Sequence, residues 1–272
     1  MIAKAGVVLA SATLLLLGCQ PPMPDPALGA LERGPLDVLV VPLNVTIRPP
    51  EGLEADTDPV WEALVAYLRS FELEPSALSV ARSKIFWEEV VTELGESDAG
   101  VDLRTAWSRF AQRVGEGTPH QWVIVPSLIL RRASVSGHQV DWDGVHRDLQ
   151  IPFALDQRSR PGAGAGSSAS FQGYNGALAA ASLHVAILTS GGQLIWEGLG
   201  GLVLVVEIDP GESAKRNTWW FQPRLEPFGD NTHVRAGVAL AFARRLPGAP
   251  RPGYPDAVPI ELEQTPPPAN SQ

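Results

Sequence analysis

The chain has one cysteine in 272 residues. No intramolecular disulfide can therefore form, and no cysteine-built zinc or iron–sulfur centre can be assembled. It also lacks a basic surplus: 21 Lys and Arg stand against 30 Asp and Glu, a net charge of −9. That balance excludes the cationic stripe needed to hold nucleic acid or anionic lipid. The longest apolar run, Ala5–Gly18, is interrupted by Ser11 and Thr13 and is shorter than the roughly 20 residues a membrane-spanning helix needs. No Gly-x-Ser-x-Gly elbow is present. Gly162, Gly164 and Gly166 neither follow a clear strand nor precede Lys-Ser or Lys-Thr, so they make no phosphate cradle or dinucleotide fingerprint. With no complete catalytic set and no cofactor motif, a non-enzymatic protein without a cofactor is expected.

What the chain does have is 44% hydrophobic residues, enough for a sizeable core, together with 26 glycines and 25 prolines that demand many loops. Seventeen of the prolines lie in 20–59 or 247–272, so they mark the two edges of an ordered region. The first residues, MIAKAGVVLASATLLLLGC, place Lys4 before a short apolar stretch, the layout of a cleavable secretory signal. The stretch ends Leu16-Leu17-Gly18-Cys19, on the chain's sole cysteine. This resembles the bacterial lipobox, which implies a signal peptide over 1–18 and a mature chain lipidated at Cys19. Two or more acyl chains bury enough methylenes, at about 0.8 kcal/mol each, for stable anchoring. Gln20, not being aspartate, resembles outer-membrane cargo. The Pro-rich 19–35 segment then reads as a stiff spacer lifting the domain off the lipid, with the domain over 36–246 and a Pro-rich mobile tail over 247–272.

Within the domain, Leu36–Leu43 is a continuous apolar run that predicts a strand buried on both faces. Asp58-Pro59 predicts a helix start, followed by Val60, Trp61, Leu64, Val65, Leu68 and Phe71 at helical spacing. A weak strand over Ala77–Ala81 follows. A helix carrying Ile85, Phe86, Val90, Val91 and Leu94 ends at Gly95, and a third carries Leu103, Trp107, Phe110 and Val114. Gln121–Val135 and Leu149–Leu155 read as strands about the turn Asp143-Gly144, and 157–176 reads as a Gly-rich loop. Ala177–Thr189 and Gln193–Ile208 read as a hairpin around Ser190-Gly191-Gly192. A last helix is capped by Asp230 or Thr232, carries Val234, Val238, Ala241, Phe242 and Leu246, and stops at Pro247. The order strand–helix–strand–helix–helix, then antiparallel strands and a terminal helix, predicts a mixed α/β sheet with helices packed on it.

The lipobox and spacer, the first strand VLVVPL, the hairpin Ser190-Gly191-Gly192-Gln193-Leu194-Ile195-Trp196 and the alanine- and arginine-rich Ala236–Arg245 together resemble a group of bacterial envelope lipoproteins. Their periplasmic domain has an anticodon-binding-domain-like α/β fold. The group includes the curli-secretion channel lipoprotein and the outer-membrane activators of penicillin-binding proteins. The resemblance implies a scaffold or regulator that binds another envelope protein in assembly, transport or wall synthesis, and it allows a homo-oligomer. No long amphipathic membrane hairpins of the kind a secretion channel requires are present.

Two clusters are candidates for a site. His138, Asp141, Asp143 and His146 have the donor types of a zinc, manganese or iron centre and define an alternative reading as a metal-dependent periplasmic enzyme. Strand alternation separates His138 from Asp141 and Asp143 from His146, so a solvated hairpin is expected instead. The second cluster is Trp219, Trp220 and Phe221, consecutive aromatics that cannot all enter one core, followed by Arg224. Such residues suit a protein interface, and a glycan- or peptidoglycan-binding platform is a further alternative. His184 and His233 stand apart from acidic residues in sequence and are expected at the surface or hydrogen-bonded within the core.

Overall fold

The computed structural model describes residues 37–53, 57–95, 102–116, 120–150, 173–216 and 218–243. The signal, Cys19, the spacer, the C-terminal tail with Leu246, and all of the Gly-rich loop before residue 173 lie outside these. The described residues form a seven-stranded mixed sheet, a separate two-stranded one and five helices; helices packed on a mixed sheet is the architecture the sequence pattern predicts, though it gives four of the five helices.

The first strand, β1 (Asp37–Val40), is buried on both sides and lies between two parallel neighbours, β2 (Glu74–Ala77) and the first turns of β3 (Trp122–Gly137). The β2 strand begins earlier than its apolar pattern suggested and contains Pro75. An edge position tolerates this, because only one side of the strand must donate. Between β1 and β2 runs α1 (Asp58–Arg69), whose cap residue is Thr57 rather than Asp58. Then come α2 (Val80–Gly95) and α3 (Leu103–Gly115). The predicted stripe of α2 is split: Val90 is buried while Ile85 and Val91 face outward.

The long strand β3 pairs along its whole length with β6 (Tyr174–Thr189), which pairs with β7 (Leu194–Leu204). Residues 174–176, expected in the loop, therefore belong to the sheet. The far end of β3 leaves β1 and takes up β4 (Gln139–Trp142), which turns at Asp143-Gly144 into β5 (Val145–Asp148). The turn is where the sequence places it, with both residues at positive φ. The returning strand, however, is 145–148 rather than 149–155; only 149 and 150 of that range are described, and they lie beyond β5. Where β1 has ended and β4 has not begun, Asn44 substitutes for a strand: its amide donates to Leu128 O at 2.9 Å and accepts from Leu128 N at 3.0 Å.

Past Leu204 a break at Val205 starts β8 (Val206–Ile208), so the predicted strand to Ile208 is two strands. A short helix α4 (Pro210–Arg216), unforeseen in the sequence, and β9 (Phe221–Pro223), paired to β8, follow. The chain ends its described part in α5 (Asn231–Ala243), capped by Asp230, which accepts from Thr232 N at 2.9 Å.

Each sheet face has its own cover. On one, Trp122, Ile124, Leu128, Leu183, Val185 and Ile187 meet α1 and α5. On the other, Val123, Val125, Ala186 and Leu188 meet α2 and α3. Further along, the β4–β5 hairpin curls over Ala133, Val135, Leu178 and Ala180 and reaches β7, where Gly201 N donates to Asp143 O at 3.1 Å. On the opposite face, α5 lies unusually close to β7. A Cβ at Gly198 or Gly200 would collide with the backbone of α5 at Ala241 and Gly237 respectively. Trp196 fastens this contact by donating its indole N–H to Ala241 O at 3.2 Å.

Candidate functional site

The most concentrated polar chemistry lies on one sheet face, at the seam between α3 and the curled hairpin. Ser127 on β3 stands opposite His184 on β6, and Glu197 lies on β7, the next strand. His184 Nε2 donates to Glu197 Oε1 at 3.0 Å, and Arg104 of α3 donates to Glu197 Oε2 from Nη2 at 2.7 Å and from Nε at 3.0 Å. The imidazole is fully buried and stacks on Trp107, ring centroids 5.2 Å apart. Trp107 in turn donates to Thr46 Oγ1 at 3.0 Å.

Carboxylate, imidazole and hydroxyl on three neighbouring strands is the composition of a hydrolytic triad. Here all three side chains are covered, and Arg104 occupies the second carboxylate oxygen. What the arrangement accomplishes is the burial of a carboxylate: two donors on opposite sides compensate its lost hydration. Sequence separation hides these pairs. Glu197 is 13 residues from His184 and 93 from Arg104, so His184 looks isolated only while its strand is considered alone.

The four candidate donors of the alternative metal reading do not converge. Asp143 turns inward, where it accepts from Arg131 Nε at 3.0 Å and from Ser182 Oγ at 2.6 Å. Asp141 and His146, partners in register across β4 and β5, bond to each other at the exposed side. His138 sits at the β3–β4 turn, with its carbonyl accepting from Leu149 N. Among the described residues no group of three or more His, Cys, Asp or Glu is placed to hold a metal ion. The inward Asp143 is a clamp that pins the hairpin to the sheet.

The aromatic trio divides as alternation requires. Trp219 donates its indole N–H to Gly173 O at 3.2 Å, and Phe221 meets Tyr174 edge to face at 4.9 Å, so both cover the hairpin end of the core. Trp220 points outward, 37% exposed, with the Arg216 guanidinium 4.2 Å above its ring. Lys215 and Arg216 are both held by Glu212. Beyond β9, Arg224 is half-buried and Leu225 is 97% exposed. His233 also has an acidic partner, Asp230 Oδ2 at 2.9 Å from Nδ1. Its pKa is lowered, first by burial and then by Arg147, with Asp230 opposing and Arg224 adding to the depression.

No family model matches the chain, and no curated protein or solved structure matches it. Among the described residues no helix is long and apolar enough to cross a membrane.

Proposed function

We propose that this protein is a non-enzymatic lipoprotein of the bacterial envelope, lipidated at Cys19, held at the outer membrane and facing the periplasm, whose α/β domain binds another envelope protein. The observation that carries the proposal is the segment Leu16-Leu17-Gly18-Cys19, set behind Lys4 and an apolar run and containing the only cysteine of the chain. An acyl anchor needs that one thiol and no other.

The binding role is supported by the segment that joins β8 to α5. It presents Trp220 and Leu225 to solvent beside Arg216 and Arg224, a mixture of large apolar and guanidinium groups typical of interface centres. A photo-reactive amino acid at position 220 or 225 in living cells tests the role. Capture of a discrete envelope protein from these positions, and not from exposed position 132 on β3, is the expected result. Equal labelling from all three positions contradicts the proposal.

A further inference from the structure

Three of the six large apolar side chains exposed among the described residues stand on α2: Val80, Ile85 and Val91, at 52, 55 and 43%. A helix covering a sheet turns such residues inward, so their exposure marks a contact surface. Only Leu78 and Ser79 join β2 to α2. From there α2 runs back along the sheet: Glu93, near its end, meets Arg113 near the end of α3, and the nearby Gly115 lies against Ser190, which bonds to Gln121 just before β3. Glu89 and Glu93 both turn towards Arg113 and α3. The 3.6-residue period then puts Val80, Lys84, Glu88 and Val91 on the side turned away from α3. Because α3 covers β3 and β6, that side overlooks β2, the outermost strand at this end of the sheet.

The outer edge of β2 has no strand beside it. Leu78 N donates to Val40 O, so Ser76 and Leu78 direct their backbone groups at β1, while Pro75 and Ala77 direct theirs outward. Ala77 offers an N–H and a C=O there, and Pro75 a C=O alone.

Stripe and edge are each self-complementary, about one centre. Laid antiparallel on a second copy, the stripe sets Val80 against Val91 and Lys84 against Glu88, centred on Phe86. Antiparallel pairing of the strands, each Ala77 N–H donating to Pro75 O of the other copy, centres on Ser76. Ser76 lies three extended residues before Ser79, roughly 10 Å, and Phe86 lies seven helical residues after it, again roughly 10 Å. The two centres are therefore level, and a single two-fold axis serves both.

We propose that the α2 stripe and the β2 edge form the interface of a two-fold dimer of this chain, in which β2 and α2 each lie antiparallel to their counterparts. The surface is separate from the Trp220 segment and does not rest on the partner-binding reading. Charge selects a second copy as the occupant. Lys84 and Glu88 are both exposed, with the lysine first, the order less suited to pairing along one helix. Across the axis each meets its opposite, and these two pairs counter the repulsion between chains of net charge −9. Pro75 limits the strand ladder to one bond per copy, so affinity rests on the helix stripe.

The test uses the full chain in detergent micelles, carrying Ser76→Cys. In the dimer the two Ser76 residues form a non-hydrogen-bonded pair with Cα atoms about 4.5 Å apart, within disulfide reach. Mild oxidation should yield a covalent dimer above the background of the parent, and about tenfold less from Arg132→Cys, at an exposed position on β3. Adding Lys84→Glu or Glu88→Lys, each confirmed as folded by circular dichroism, should slow cross-linking about tenfold, because both pairs become repulsive. An equimolar mixture of the two charge variants should restore the rate, since unlike chains then meet with opposite charges. A change confined to the fold of one chain cannot give that restoration. Equal cross-linking from positions 76 and 132 reports two chains crowded into one micelle and overturns the proposal. So does an unchanged rate in either charge variant, or a mixture that stays as slow as its components.

Discussion

Substituting Gly200 by alanine tests the packing that sets α5 on the sheet. A Cβ at Gly200 would overlap Gly237 O, come within 2.5 Å of Ala241 N and lie 3.0 Å from Leu240 Cβ. Two of these three neighbours are backbone atoms of a regular helix and cannot rotate away, so the helix itself must move. Retreat of α5 opens the interface in which Val234, Val238, Ala241 and Phe242 meet the sheet, and strains the Trp196 bond to Ala241 O. Overpacking of a tight core costs roughly 1–3 kcal/mol, and a rigid backbone obstacle places this change at the upper end, about 3 kcal/mol. The matched control is Gly191→Ala in the β6–β7 turn, where the nearest atom to a new Cβ is Thr189 Oγ1 at 3.7 Å and φ is not positive. Its stability should stay within about 0.5 kcal/mol of the parent. Urea unfolding followed by tryptophan fluorescence measures both. If Gly200→Ala unfolds with the midpoint of Gly191→Ala, the account of α5 seated on a glycine strip is wrong.

Three further outcomes follow from the interior. Replacing Glu197 by leucine leaves Arg104 and the buried His184 without their shared acceptor and should cost about 3 kcal/mol, while Arg104→Ala, removing the more exposed partner, should cost about 1 kcal/mol in the same unfolding assay. Asn44→Ala strips both bonds from the Leu128 backbone and should cost about 1–3 kcal/mol. Tyr67, packed on Phe242 and Phe71, has its phenol pushed up to about 12 by burial. Its protonated form is the one the fold retains, so its contribution is intact below the ordinary phenol value of about 10 and is lost as pH rises from there towards about 12. Ultraviolet difference titration of Tyr67→Phe against the parent should show the loss of a phenolate transition near pH 12.

The sequence pattern locates those elements whose signal is local. The helices α1, α3 and α5 carry apolar residues at three- and four-residue steps, and Asp143-Gly144 and Ser190–Gly192 turn where their backbone preferences require. The elements it misplaces are decided by distant neighbours. The β2 strand includes Pro75 because it lies at an edge, Tyr174–Gly176 extend a strand because 135–137 offer partners, and α4 is too short for a period to show. Gly198, Gly200 and Gly201 lie within a predicted strand, but nothing in its pattern shows that Gly198 and Gly200 form a floor for α5 or that Gly201 leaves room for Trp142. The seam around His184 was illegible for the same reason, since its charge partners come from α3 and β7. Of the aromatic segment, alternation says only that the three rings cannot all enter one core, and the structure is what puts Trp220 on the outer side.

The central claim is the acyl anchor. Labelling of growing cells with radioactive palmitate, followed by recovery of the protein, tests it with a single substitution. Incorporation into the parent and its loss in Cys19→Ala, with the unprocessed chain accumulating, is the predicted result. Incorporation that persists in Cys19→Ala, or a parent that takes up no label, contradicts it.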